Sequence, residues 1–160
     1  MTVADIHTKS LRLVPQSPGD TRAQIAAMPP DQRAQVSPDW LARAYAATAP
    51  DPWILGFGIV HQATGAVIGM CAFRNPPADD GIVEVSYGVA LEYEGRGYAT
   101  EAAGALVAFA FSRQDIQVVC AHTLEDTGAS ARVLAKCGFR LVGQVIDPED
   151  GLVWRWERVR

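Results

Sequence analysis

Cysteine is scarce in this chain: Cys71, Cys120 and Cys137 are the three in 160 residues. The count is odd and no C-x-x-C pair occurs, so neither a disulfide framework, a zinc knuckle nor a redox pair is expected. The reading is three small buried hydrophobes in a reducing compartment. Long apolar runs are also missing. The most apolar stretch, residues 102–111, is half of the ~20 residues that a bilayer crossing needs. The opening M-T-V-A-D-I-H-T-K has no apolar h-region, so a cytoplasmic chain without a secretory signal is expected, with no membrane partner. Basic residues are outnumbered, 14 Lys and Arg against 18 Asp and Glu, for a net charge of −4. That removes the basic footprint of nucleic-acid binding, so no nucleic-acid partner is expected either. No internal repeat or low-complexity block is present.

What is present is ordinary globular composition, 49% hydrophobic and 20% charged. Its length suits one domain spanning residues 1–160. Residues 11–14 alternate enough for a short strand. Residues 18–28 and 38–47 read as helices, each opened by Ser-Pro, with Ser as cap and Pro in the first helical position. Residues 53–61, 67–74 and 82–90 are rich in Val, Ile, Phe and Tyr and are separated by short turns, the pattern of an antiparallel meander. A helix follows to about residue 114, then an apolar strand at 117–122 that can run parallel to 82–90, with the helix as crossover. A second helix at 128–137 stops at Gly138. Residues 139–146 and 152–159 close the chain as a hairpin. The expected fold is α/β (α+β): a mixed, mostly antiparallel sheet of about seven strands flanked by about four helices.

The sharpest local feature is G-R-G-Y-A-T at residues 95–100, between a strand and a helix. Glycines there admit close approach to backbone N–H groups, and the helix N-terminus favours an anion. A tight turn without a ligand is the plainer alternative. Two known phosphate loops fail on residues. A P-loop needs a Gly-Lys pair, which the chain lacks. A dinucleotide fingerprint needs a third glycine where Thr100 stands, and no acidic residue ends the strand at Cys120-Ala121-His122.

The segment 94–99 resembles the Q/R-x-x-G-x-G/A signature of the GNAT family of N-acetyltransferases. Residues 126–139, D-T-G-A-S-A-R-V-L-A-K-C-G-F, resemble its second signature, roughly N-x-x-S-x-x-V-L-x-K-x-G-F. The flavour is that of the branch containing ribosomal-protein alanine acetyltransferases, and the likeness runs from about Leu11 to Trp156, with the same element order. Three positions depart from the pattern: Glu94 replaces Gln or Arg, Thr127 replaces Asn but can still cap its helix, and Leu134 stands where many relatives carry Tyr.

The resemblance implies direct attack of a neutral amine on the thioester of acetyl-CoA, with no metal. Backbone amides of Gly95, Arg96, Gly97, Tyr98, Ala99 and Thr100 would hold the pyrophosphate, with Thr127 and Ser130 near the cofactor. A backbone N–H at Val89 or Ala90 would face the oxyanion. Glu84 is the candidate base, because carboxylates occur there in relatives and because its neighbours Ile82, Val83 and Val85 are apolar enough to desolvate it. A solvent-facing or ion-paired Glu84 is the alternative. Tyr87, further along the strand, is expected to share its face and to orient the amine or simply pack. Ser130 is the candidate acid for the thiolate, or only a first-turn hydrogen bonder. Trp40, Tyr45 and Trp53 are candidates for the acceptor wall. Arg132, Lys136 and Arg140 would meet a phosphate or face solvent. His61 and His122 read as structural, and three scattered histidines suggest no metal site. The acceptor is an amine of a protein N-terminus or a small molecule, and a homodimer is the family habit. The other readings are a coenzyme-A-binding module without catalysis and a transferase of longer acyl groups.

Overall fold

A computed structural model describes residues 3–148 and 150–160. Strand β1 (Ile6–His7) leads into β2 (Leu11–Pro15). Helices α1 (Pro18–Ala27), α2 (Pro30–Ala34), α3 (Pro38–Ala46) and α4 (Pro52–Leu55) follow. All four carry Pro in the first turn, and the hydroxyls of Ser17 and Ser37 and the carboxylate of Asp51 cap α1, α3 and α4. The meander is β3 (Phe57–His61), β4 (Val67–Phe73) and β5 (Ile82–Val89). A 3₁₀ turn (Leu91–Tyr93) precedes α5 (Tyr98–Phe111), then β6 (Val118–Thr123), α6 (Ala129–Lys136), β7 (Arg140–Asp147) and β8 (Gly151–Val159).

These strands make one eight-stranded sheet in the order β1-β2-β3-β4-β5-β6-β8-β7. Among the described residues, β5 and β6 form the one parallel pair. The mixed, mostly antiparallel sheet and its crossover agree with the sequence reading. The counts of strands and helices are higher, because β1, α2 and α4 are too short to leave a periodic signal. Trp53 is a correction. It belongs to α4 rather than to a strand, since Asp51 caps the turn and Pro52 starts it.

Helix α5 lies on one face of the sheet. It buries Ala102, Ala103, Leu106, Val107 and Ala110 against Phe57, Ile59, Phe73, Val83 and Val85. Four of its core-facing positions are small or β-branched, so the helix can sit close to the strands. Trp53 stacks on Phe73 at 4.5 Å between centroids, with Phe109 5.0 Å from Trp53. Helix α6 ends as expected. Gly138 takes φ 86°, and the Phe139 N–H returns to the Leu134 carbonyl at 3.0 Å.

At the centre of the sheet β4 and β5 approach tightly. A Cβ on Gly69 would stand 2.1 Å from the Gly88 carbonyl oxygen, whereas one on Gly88 would meet nothing within 4 Å. Gly69→Ala should therefore cost roughly 1–3 kcal/mol through overpacking. Gly88→Ala should stay within about 0.5 kcal/mol, as surface substitutions usually do. Urea unfolding of the two variants checks the contrast.

Candidate active site

The site begins where two strands part. The parallel ladder pairs Ile82 with Val118, Val83 with Val119 and Glu84 with Cys120, and then stops. Strand β5 continues to Val89 on the β4 side, and β6 continues to Thr123 on the β8 side. The Arg74 N–H donates to the Glu84 carbonyl at 2.9 Å, and the Ala90 N–H donates to the Ile68 carbonyl at 2.7 Å. Even-numbered residues of β5 thus turn their backbone groups toward β4. By strand alternation the odd-numbered residues turn theirs toward β6, and beyond the Glu84–Cys120 pair Tyr87 and Val89 turn theirs into the gap that β6 has left. This corrects the expectation for Ala90, whose N–H is already committed; Val89 keeps the role open.

A cleft of about 700 Å³ opens on one side of the gap. Tyr87, Gly88 and Val89 form its floor. The loop and first turn of α5 form one wall through Gly95, Gly97, Tyr98, Ala99 and Thr100, and Ser130, Arg132 and Lys136 of α6 form the other. Gly97 sits at φ 84°, left-handed, at the N-cap of α5, and no side chain caps this helix. The first intrahelical bond is Glu101 N–H to the Gly97 carbonyl. The N–H groups of Tyr98, Ala99 and Thr100 precede it and have no intrahelical acceptor, so they present the positive end of the helix to the cleft. Helix α6 likewise starts at an uncapped glycine, Gly128. Thr127 does not cap it, contrary to expectation, and lies outside the cleft lining. Arg96 also lies outside the lining, with its guanidinium 5.8 Å from the Tyr93 ring centroid. Arg140 is absent from the lining as well. His61 braces the loop from behind, with Nε2 3.2 Å from the Tyr98 hydroxyl and Nδ1 3.0 Å from that of Thr64.

On the other side of the gap lies a slot of about 330 Å³ that shares Tyr87 and Ser130 with the cleft. Glu84 lies here, but its surroundings are not the apolar ones expected. Its Oε2 stands 2.9 Å from Arg74 Nη1 and 2.9 Å from His122 Nδ1. Arg74 also faces Asp147 at 3.7 Å and Asp150 at 3.3 Å, at the β7–β8 turn. Glu84, His122 and Asp147 bring one possible metal-ligand atom each within 4.8 Å of one another. The cation these carboxylates already meet is the Arg74 guanidinium. Tyr87 does not share the face of Glu84. Three positions separate them, an odd step that puts the ring on the α5 and α6 side, where its hydroxyl donates to the Ser130 carbonyl at 3.3 Å. Burial, and secondarily Cys137, raise the Tyr87 pKa, so the phenol stays protonated and able to donate. Arg74 was not singled out in the sequence, and His122 was read there as structural. Strand register brings them to Glu84: β4 and β5 set Arg74 opposite it, and β5 and β6 set Cys120 beside it, with His122 following on the same face.

Trp40, Tyr45 and Trp53 line neither cavity. Trp40 donates to the Ile54 carbonyl at 2.8 Å, and Trp156 to the Thr123 hydroxyl at 3.1 Å.

The three cysteines are free and buried. Burial pushes the Cys71 thiol up to about 12 and that of Cys120 to about 11, and raises Cys137. A raised thiol is neutral through the physiological range, which removes a thiolate nucleophile. The linked stability is present below the unfolded thiol value near 8.5 and is lost as pH climbs through the folded values. Native protein at pH 8 should therefore react with a thiol reagent at least tenfold more slowly than the guanidine-unfolded chain, read by the absorbance of the released chromophore.

Comparison with known proteins bears on the family and the fold. Residues 11–140 match the family profile described as an acetyltransferase (GNAT) domain. The uncharacterized N-acetyltransferase YjdG of Bacillus subtilis (strain 168) is 30% identical over 91 residues, which is 57% of this chain and 52% of that protein. The chain thus spans about half the length of the curated relatives it matches. A GNAT-family acetyltransferase from Bacillus anthracis aligns over 98% of both chains with a TM-score of 0.67 at 16% identity. The aminoglycoside acetyltransferase AAC(6')-Ib, in complex with coenzyme A and kanamycin, aligns over 94% of both chains with a TM-score of 0.63 at 18% identity. The structural likenesses speak for the fold, and the profile match over most of the sequence makes this chain a member of the GNAT acetyltransferase family.

Proposed function

We propose that this chain is an acetyl-CoA-dependent N-acetyltransferase acting on a primary amine, of a protein N-terminus or a small molecule, by direct attack on the thioester. The observation that carries the reading is the meeting of two cavities at one gap. A cleft with uncapped helix N-termini and basic side chains suits a phosphorylated donor, and a carboxylate-lined slot suits an amine. Tyr87 and Ser130 stand where they join. The family membership supports the donor, and the aminoglycoside acetyltransferase of like fold supports a small-molecule amine as one acceptor class.

The cleft fits the donor on its own residues. The N–H groups of Tyr98, Ala99 and Thr100 would take the pyrophosphate, with Gly95 and Gly97 leaving the approach free of Cβ atoms. Arg132 and Lys136 add positive charge along the opposite wall. The Val89 N–H, free of β4 and aimed into the gap, would stabilise the oxyanion; donors of this kind are typically worth about 3 kcal/mol. Glu84 would accept the amine proton through Oε1, since Oε2 is engaged by Arg74 and faces His122. Ser130 would hydrogen-bond the departing sulfur, and the coenzyme thiolate is a good enough leaving group to leave without a stronger acid. The chemistry supplied by the donor is its activated acetyl thioester; position and proton transfer are the chain's share.

Calorimetric titration with acetyl-CoA, followed by an amine screen with a free-thiol readout, tests the reading. Saturable binding and turnover of an amine are expected. No binding by a folded sample overturns it. Gly97→Trp should abolish binding while the circular dichroism spectrum is unchanged, because the side chain fills the cleft at a left-handed residue. Glu84→Gln should lower kcat about 10²–10⁴-fold, the usual size of a general-base contribution, with the acetyl-CoA Kd unchanged.

A further inference from the structure

The His122 side chain is 9% exposed, and neither ring nitrogen has a well-directed hydrogen bond. Its Nδ1 nonetheless lies 2.9 Å from Glu84 Oε2, off the line that a good bond requires. Buried polar groups are nearly always satisfied, and a histidine kept only for packing would be cheaper as an apolar residue. The same oxygen meets Arg74 Nη1 at 2.9 Å. The hydrogen bond that the Glu84 carboxylate accepts among the described residues falls on Oε2, and Glu84 lines the slot.

We propose that His122 is the positioning residue for Glu84: with Arg74 it holds Oε2, Nδ1 turning onto that oxygen from 2.9 Å, so that Oε1 faces the acceptor amine. The inference rests on the acetyltransferase reading above. A second donor on one carboxylate oxygen fixes the carboxyl rotation, which a single guanidinium at the side does not.

The groups that face His122 come from every neighbouring element. Strand β5 brings Glu84, the end of β4 brings Arg74, and the β7–β8 side brings Asp147, with a carboxylate oxygen within 4.8 Å of a His122 nitrogen, and Asp150 through Arg74. Strand β8 places Arg155 opposite His122 in the ladder, with its charge met by Glu157 at 2.7 Å. Cys120 precedes it on the same strand face.

The test uses the full chain and two substitutions. His122→Phe keeps the ring volume and removes the donor. His122→Asn keeps a donor near Nδ1. His122→Phe should lower kcat at least tenfold with the acetyl-CoA Kd unchanged. His122→Asn should recover most of that kcat. Equal loss in both variants, or wild-type rates in both, overturns the proposal. A second readout is independent of turnover. In nitrogen-15 histidine spectra, His122, assigned by its absence in His122→Phe, should be the Nδ1–H tautomer and should shift on Glu84→Gln. An Nε2–H tautomer, or no response to Glu84→Gln, overturns the proposal even if the amine is never found. Binding of acetyl-CoA with no amine turned over counts against the acetyltransferase reading alone, and the spectra then decide the role of His122.

Discussion

Everything at the site depends on a parallel ladder that stops after Glu84 and Cys120. Parallel strands are bonded by evenly spaced slanted hydrogen bonds, and each strand is also held by its outer neighbour. Here β4 keeps β5 and β8 keeps β6, so the pair can separate without fraying the sheet. The separation leaves backbone groups of Tyr87 and Val89 without a strand partner. Unpaired backbone groups inside a protein are costly unless water or a ligand meets them. The gap is therefore both the structural expense of the fold and the place where a ligand recovers it.

The two sides of the gap differ in charge. Helices α1, α3 and α4, away from the gap, are capped by Ser17, Ser37 and Asp51. Helices α5 and α6, which open on the cleft, start at glycines with no side-chain cap. The cleft thus holds two positive helix ends together with Arg132 and Lys136. On the slot side, Glu84, Asp147 and Asp150 surround a single guanidinium. In the proposed reaction the donor's phosphates and the amine would be sorted to opposite faces of one sheet, with Glu94 the acidic side chain in the cleft lining, and Tyr87 and Ser130 are the residues that line both cavities.

Much of this was legible in the residue order. The meander, the crossover helix and the closing hairpin follow from periodicity and turn residues, and the 95–100 loop from glycine spacing. Single turns were not legible: Trp53 sits in an apolar run that reads as strand until the Asp51 cap is seen to begin a helix. Strand parity settles two other points that inspection missed, the opposite faces of Glu84 and Tyr87 and the committed N–H of Ala90. His122 and Arg74 lay beyond the reach of local patterns. Their meeting with Glu84 is made by strand register and by the β7–β8 turn, which are tertiary facts.

The central claim is that the gap and the uncapped end of α5 form the donor site. Backbone amide spectra with and without saturating coenzyme A test it most directly. The account predicts the largest shifts at Val89 and at Tyr98, Ala99 and Thr100, with Ala90, bonded to Ile68, changing far less. Shifts centred elsewhere on the sheet, with these amides unmoved, would contradict it.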